Sequence, residues 1–153
     1  MANTYTQIYI QVVFAVEGRQ NLISREHKEE LHKYITGIIT AQGQKLIAIH
    51  CMPDHTHILL GQKPDIALSD LVGDIKTGST NFINRNKWMV GRFSWQEGFG
   101  AFSYSHSQLD EVIRYIQNQE AHHSRRAFHD EYLTLLKRFN VAHDERYSFR
   151  PIQ

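Results

Sequence analysis

The feature that most constrains the fold is a regular alternation of residues near the start of the chain. From Thr4 to Val16, every second side chain belongs to one face, which carries Thr6, Ile8, Ile10, Val12, Phe14 and Val16. Successive side chains of a strand point to opposite faces of a sheet. This period of two therefore predicts a long strand with one face on a hydrophobic core.

The remaining helix and strand patterns occur in an order that predicts the topology. Apolar residues repeat with helical spacing before Gly43 and again from Leu68 onwards. Apolar runs predict three further strands, at 45–52, 55–60 and 101–105, and a tight turn separates the first two. The resulting β-α-β-β-α-β order predicts an α+β, ferredoxin-like antiparallel sheet with its two helices on one face.

Two more helices are predicted after the sheet, at about 108–122 and 125–139, and a polar tail follows Asn140. We expect a single domain over residues 1–153, with a structured core at about 4–140. Cys51 is the only cysteine, which excludes an intrachain disulfide and is typical of a reducing cytoplasm. No apolar run approaches the ~20 residues that span a bilayer, so we expect a cytoplasmic protein that does not enter membranes.

A pair of histidines opens the third predicted strand. His55 and His57 are two residues apart, so their side chains share a face with Cα atoms roughly 6–7 Å apart, while Ile58 and Leu60 face the other way. Two imidazoles in this arrangement can bind one metal ion. Histidine pairs of this spacing also occur on surfaces that bind nothing, and the spacing alone leaves that alternative open.

A tyrosine and a glutamine lie on one flank of the first C-terminal helix. Gln119 follows Tyr115 by about one turn, outside the apolar stripe of that helix. A phenol has a pKa of about 10, so forming the phenolate near pH 7 costs roughly 4 kcal/mol. A divalent cation that polarises a phosphate can offset this cost. Two imidazoles and an amide oxygen suit Mg²⁺ or Mn²⁺ in such a role, and these ligand types also admit zinc.

The segment between Ile75 and Gln96 is basic and aromatic. It contains no acidic residue, and cations and large rings are interleaved in it: Lys76, Phe82, Arg85, Lys87, Trp88, Arg92, Phe93 and Trp95. Cations that neutralise phosphates and rings that stack on bases are typical of single-stranded nucleic-acid surfaces. The rings are equally compatible with a core position. Phosphate contacts are predicted for Lys76, Arg85 and Lys87.

Three stretches of the chain together resemble the single-tyrosine HUH transposases of small insertion sequences, the insertion-sequence two-hundred-like TnpA proteins. These stretches are Met52-Pro53-Asp54-His55-Thr56-His57-Ile58-Leu59, Trp95-Gln96-Glu97-Gly98-Phe99-Gly100-Ala101-Phe102 and Tyr115-Ile116-Gln117-Asn118-Gln119. The resemblance implies that His55 and His57 bind the metal, that Gln119 completes its coordination and that Tyr115 is the nucleophile. Thr56 departs from the pattern, because a bulky hydrophobic residue is typical at the middle of the HUH motif.

The resemblance also implies a function and partners. The expected enzyme cleaves and rejoins single-stranded DNA at hairpin-flanked element ends through a 5′-phosphotyrosine intermediate. It would act as a homodimer in which the tyrosine helix of one subunit can serve the histidines of the other. Two alternatives remain: a catalytically inactive or domesticated module that binds single-stranded nucleic acid, and a metal-dependent phosphodiesterase that uses water.

Overall fold

A computed structural model of the chain describes residues 3–17, 23–123 and 127–143, without the side chains at 122 and 123. Its four strands are β1 (Tyr9–Ala15), β2 (Lys45–Cys51), β3 (His55–Gly61) and β4 (Gly100–Tyr104). They form one antiparallel sheet in the order β2-β3-β1-β4. The predicted α+β, ferredoxin-like topology is confirmed, although β1 is shorter than its alternating pattern.

The strand register assigns every side chain of the sheet to one of two faces. In the two central strands, Val12 pairs with Ile58 and Val13 pairs with His57. Alternation then places the apolar residues of the N-terminal pattern on one face and both histidines on the other. Thr56 pairs with Phe14 and lies on the apolar face, so it does not displace the imidazoles on either side of it.

Two helices cover the apolar face. They are α1 (Lys28–Ala41) and α2 (Leu68–Arg85), and they pack against each other and the sheet in one hydrophobic core. Glycines at two positions of α2 lower its helix propensity, yet the helix is continuous. At Gly78 a Cβ would lie 2.6 Å from Ile38 Cδ1, so the absence of a side chain lets the two helices approach closely.

Three further helices cover the opposite face. After a 3₁₀ turn at His106–Gln108 come α3 (Leu109–Gln117), α4 (Gln119–His123) and α5 (Phe128–Arg138). The predicted helix at 108–122 is therefore interrupted at Asn118, and a capping box between Ser105 and Gln108 begins the 3₁₀ turn before it. The predicted start of the last helix near residue 125 and the predicted polar tail from 144 onwards lie outside the described residues. Within the described part, no helix is long and apolar enough to cross a membrane.

Candidate active site

Both histidines of β3 are fully buried, and each is oriented by a hydrogen bond at Nδ1. His55 Nδ1 lies 2.7 Å from Asp54 Oδ1, and His57 Nδ1 lies 2.6 Å from Gln11 Oε1. Both acceptors are oxygens, so Nδ1 carries a proton in each ring, and Nε2 is the nitrogen left to coordinate a metal ion. Metal-binding histidines are oriented in this way in many proteins.

A carboxylate from α5 lies opposite the two Nε2 atoms. Glu131 is only 4% exposed, and its Oε1 lies 3.1 Å from His57 Nε2 and 3.7 Å from His55 Nε2. Glu131 was not among the residues predicted for the site. The available signal was its position within the apolar stripe of α5, beside Phe128, Tyr132 and Leu135, where an acidic residue is costly to bury without partners.

The structure brings Gln119 to the same point. Its amide is fully buried, with Oε1 3.3 Å from His55 Nε2 and Nε2 donating to Glu131 Oε2 at 3.2 Å. The next residue anchors α4 to the start of α1, since Lys28 Nζ donates to Glu120 Oε1 at 3.0 Å. The break in the helix at Asn118 therefore leaves Gln119 inside the site and Glu120 at its rim.

These donors fit a divalent metal ion. Ligand atoms of His55, His57 and Glu131 all lie within 4.8 Å of one another. Atoms that bind one ion at about 2.0–2.2 Å are separated by roughly 3.0–3.6 Å. Glu131 Oε1 lies 3.1 Å from His57 Nε2 and 3.7 Å from His55 Nε2, and Gln119 Oε1 lies 3.3 Å from His55 Nε2, all within or close to this range. The buried carboxylate also gives the site the negative charge that a cation requires.

Tyr115 completes the cluster from α3. Val112 and Ile116 of this helix pack on Ala48 and Leu59 of the sheet, which holds the half-buried phenol above the histidine face. Its hydroxyl donates a hydrogen bond to Glu131 Oε2. Burial, and then the charge of Glu131, raise the pKa of Tyr115 well above its usual range. The phenol is therefore protonated at neutral pH, and its deprotonation requires a nearby cation or a proton acceptor.

A family model described as "Transposase IS200 like" matches residues 4–119, which is most of the chain. The chain belongs to the IS200-like transposase family. The ISDra2 transposase TnpA of Deinococcus radiodurans is 23% identical to this transposase over 118 residues, which are 74% of this chain and 84% of that protein.

Solved structures agree with the fold of this transposase. A crystal structure of a protein from Deinococcus radiodurans R1, described as a transposase, has a TM-score of 0.59 at 23% identity. The match covers 78% of this chain and 95% of that one. A REP-associated tyrosine transposase bound to a REP hairpin has a TM-score of 0.61 at 15% identity, over 100% of this chain and 96% of that one.

The cations predicted to contact phosphates lie along α2 and after its end. Lys76 Nζ donates to Gln96 O at 2.9 Å and Gly98 O at 2.6 Å, so its ammonium holds the loop before β4. Burial also lowers the pKa of Lys76. Arg85 and Lys87 are exposed. Contacts of all three with DNA stay predictions.

Two aromatic residues of the basic segment belong to the core. Phe93 and Trp95 are buried, and Trp95 Nε1 donates to Ser79 Oγ at 2.9 Å. Of the two alternatives that the sequence left open, the core position therefore applies to these two rings, because their faces are covered by the protein. Their rings pack edge to face with centroids 4.9 Å apart. They fix the loop between α2 and β4.

Proposed function

We propose that this transposase cleaves and rejoins single-stranded DNA through a 5′-phosphotyrosine intermediate formed on Tyr115. The observation that carries the proposal is the position of the Glu131 carboxylate. Its Oε1 faces both imidazoles, and its Oε2 accepts hydrogen bonds from the Tyr115 hydroxyl and the Gln119 amide. A nucleophile and a set of metal ligands therefore share one buried group.

In the proposed step, Tyr115 Oη attacks the scissile phosphorus. The new bond joins the tyrosine oxygen to phosphorus, and the bond from phosphorus to the 3′ oxygen breaks. The phenolic proton passes to Glu131 Oε2, and the leaving oxygen takes a proton from solvent to become a 3′-hydroxyl. The phosphotyrosine ester retains the energy of the broken phosphodiester bond. Attack on it by another 3′-hydroxyl therefore rejoins DNA and releases Tyr115 without ATP.

His55, His57, Gln119 and Glu131 would hold the divalent metal, for which we propose Mg²⁺ or Mn²⁺. When bound, the metal polarises the scissile phosphate and stabilises charge that develops in the transition state. Asp54 and Gln11 keep the two imidazoles in the tautomer that offers Nε2 to the site. The mixed nitrogen and oxygen donors favour Mn²⁺ somewhat over Mg²⁺.

The proposed substrate is single-stranded DNA, with hairpins flanking the element ends. The likeness to a transposase that is bound to a REP hairpin supports this choice. Exposed Arg85 and Lys87 would contact phosphates, whereas Lys76 would have to exchange its two carbonyl partners for a phosphate. The cytoplasm, where such DNA is available, is the proposed location.

A homodimer also remains part of the proposal, with the tyrosine helix serving either subunit. In the structure, α3 packs on the sheet of its own chain, and Tyr115 reaches its own histidine face. This geometry supports a site completed in cis. Mixing Tyr115→Phe with His57→Ala subunits separates the two arrangements, because only a site completed in trans regains cleavage activity in the mixture.

The experiment that tests the function uses labelled single-stranded DNA that carries the sequences flanking the gene. The protein is incubated with this DNA and Mg²⁺ or Mn²⁺, and the products are separated on a denaturing protein gel. We expect a labelled band at protein mass that is absent with Tyr115→Phe. Tyr34→Phe is the matched control, because that ring stacks on Phe82 between α1 and α2 and should leave the band unchanged.

Two outcomes would contradict the proposal and favour the alternatives. Cleavage without a protein-bound product would identify water as the nucleophile and the protein as a phosphodiesterase. Binding without cleavage in every divalent metal tested would identify a nucleic-acid-binding module.

A further inference from the structure

A cavity of about 140 Å³ opens between α3, α5 and β4. Its lining includes Tyr115 and Glu131, so it adjoins the candidate active site directly. Any group that enters this cavity would therefore contact the proposed nucleophile. The mechanism described above places no part of the DNA there.

The size of the cavity limits its occupant to a single ring. A protein cavity of about 150 Å³ accommodates one benzene molecule. A cavity of about 140 Å³ thus matches one six-membered ring, and the sugar and phosphate of the nucleotide would project from its open side. A pyrimidine base fits this limit, whereas the fused rings of a purine exceed it.

The walls of the cavity also favour a base over a phosphate. Tyr104, Val112 and Leu135 supply aromatic and aliphatic walls. Such walls cannot replace the water that solvates a phosphate, whereas the ring of a base packs against them. Unstacked bases are typically held against such walls and hydrogen-bonded along their edges.

Hydrogen-bonding groups at the rim can recognise a base edge. The Gln108 amide oxygen accepts from Ser105 N at 2.9 Å in the capping box, which leaves its amide nitrogen to donate to a ligand. Arg138 is a second donor, and Glu111 is an acceptor. Pyrimidine edges present both donors and acceptors, so this mixed set is suitable.

A hydrogen-bonded chain joins the cavity wall to the histidine face. Gln11 Nε2 donates to Tyr104 Oη at 2.7 Å, and Gln11 Oε1 accepts from His57 Nδ1 at 2.6 Å. Because Tyr104 Oη accepts from Gln11, its own proton can be donated to a group in the cavity. An occupant that bonds to Tyr104 would therefore fix Gln11 and the His57 ring together.

We propose that this cavity binds one unstacked pyrimidine base, from a nucleotide that adjoins the scissile phosphate. The base contributes to the choice of the bond that Tyr115 attacks. This inference rests on the proposed function, because it needs a DNA strand at Tyr115.

The test measures the rate of adduct formation on oligonucleotides that differ only at the two nucleotides flanking the cut. Each position carries in turn a pyrimidine, a purine or an abasic site. Because stacking on an aromatic ring strengthens the binding of a base, removing the preferred pyrimidine should slow adduct formation by about fivefold or more, and by at most about 140-fold. We expect this loss at one of the two positions, with a purine also slower than the pyrimidine.

Two variants assign the preference to the cavity. Val112→Phe fills it and should abolish the difference between the pyrimidine and abasic substrates. Because Val112 also packs on the sheet, Gln108→Ala at the exposed rim provides a second variant, in which the pyrimidine preference should decrease severalfold. Gln117→Ala, exposed on the same helix and outside the cavity, is the matched control and should keep the full preference.

The outcomes separate this inference from the proposed function. Equal rates on all substrates, or a purine preference, would overturn the base cavity and leave the tyrosine chemistry intact. A pyrimidine preference unchanged in both variants would also overturn it. Failure of the wild-type protein to form an adduct with any substrate would overturn the proposed function and this inference with it.

Discussion

The two faces of the sheet are built from alternate residues of the same strands, yet only one of them carries the buried imidazoles. Val12, Phe14, Ile58 and Leu60 bury aliphatic and aromatic groups against α1 and α2. The residues between them include Gln11, His55 and His57, which are equally buried under the C-terminal helices.

The difference shows how one small sheet supports both stability and chemistry. Burial of apolar groups on the first face contributes free energy of folding roughly in proportion to area. Burial of polar groups on the second face is tolerated because the imidazoles, amides and carboxylate are partners of one another. Loss of one residue should therefore affect mainly stability on one face and mainly function on the other.

The largest effect is expected for His57→Ala. This change removes one proposed metal ligand and leaves Gln11 and Glu131 with fewer partners. DNA cleavage should fall by more than about 100-fold, since loss of even an outer-shell partner costs 10–100-fold in many metal sites. The free energy of unfolding should fall by only about 1–3 kcal/mol. Cleavage rates and urea denaturation measure the two quantities, and retained cleavage would remove His57 from the site.

The neighbouring change Ile58→Ala should show the opposite balance. Ile58 is fully buried on the apolar face, and truncation of such a side chain costs about 2–5 kcal/mol of unfolding free energy. Cleavage per folded molecule should stay within a few-fold of the wild-type rate. Urea denaturation and cleavage at low temperature test this, and a loss of cleavage in fully folded protein would show that the two faces are not separable.

A smaller effect is expected for Gln11→Leu. The substitution keeps the approximate size of the side chain but removes the bonds to His57 and Tyr104. Affinity for Mn²⁺ should decrease about 10–100-fold, because the tautomer and orientation of His57 lose their support. Equilibrium Mn²⁺ binding measures this change. Gln42→Leu, at an exposed position after α1, is the control, and equal affinities in the two variants would contradict the role of Gln11.

The smallest effect concerns pH and His50, which pairs with His57 across β2 and β3. Burial, and then the charge of Lys28, lower the pKa of His50 from 6.5 to about 4. The unfolded chain therefore takes up this proton at higher pH than the folded chain does. The neutral ring stabilises the fold above pH 6.5, and this contribution is lost as the pH falls towards 4.

Urea denaturation at pH 7.5 and pH 5 tests the contribution of His50. The decrease in unfolding free energy between these values should be smaller for His50→Gln than for the wild type. His106→Gln, at an exposed position, should retain the wild-type decrease. An identical decrease in all three proteins would exclude His50 as the source.

Local patterns predicted the strands, the two core helices and the histidine pair, because alternation and helical spacing are properties of neighbouring residues. Contacts between distant elements were harder to predict. Glu131 lies on a separate helix, 74 positions after His57, and only the packing of α5 brings its carboxylate to the imidazoles. Similarly, the aromatic residues Phe93 and Trp95 fit a nucleic-acid surface by composition, and tertiary packing placed them in the core.

The interruption at Asn118 was not predicted either. The sequence 108–122 has continuous helical spacing, so propensity favours one helix. In the structure, Asn118 separates α3 from α4, while Gln119 hydrogen bonds to residues from α3, α5 and the sheet. Tertiary hydrogen bonds thus outweigh the local preference at the position where Gln119, a proposed metal ligand, enters the site.

The central claim is that the polar face of the sheet and α5 form one divalent-metal site. The most direct measurement is the equilibrium binding of Mn²⁺, in which the electron paramagnetic resonance signal gives the concentration of the free ion. Wild-type protein and Glu131→Gln are compared with Asp130→Asn, an exposed acid on the same helix. We predict one site in the wild type, at least tenfold weaker binding in Glu131→Gln and unchanged binding in Asp130→Asn. Equal affinity of the wild type and Glu131→Gln, or no binding by either, would contradict the claim.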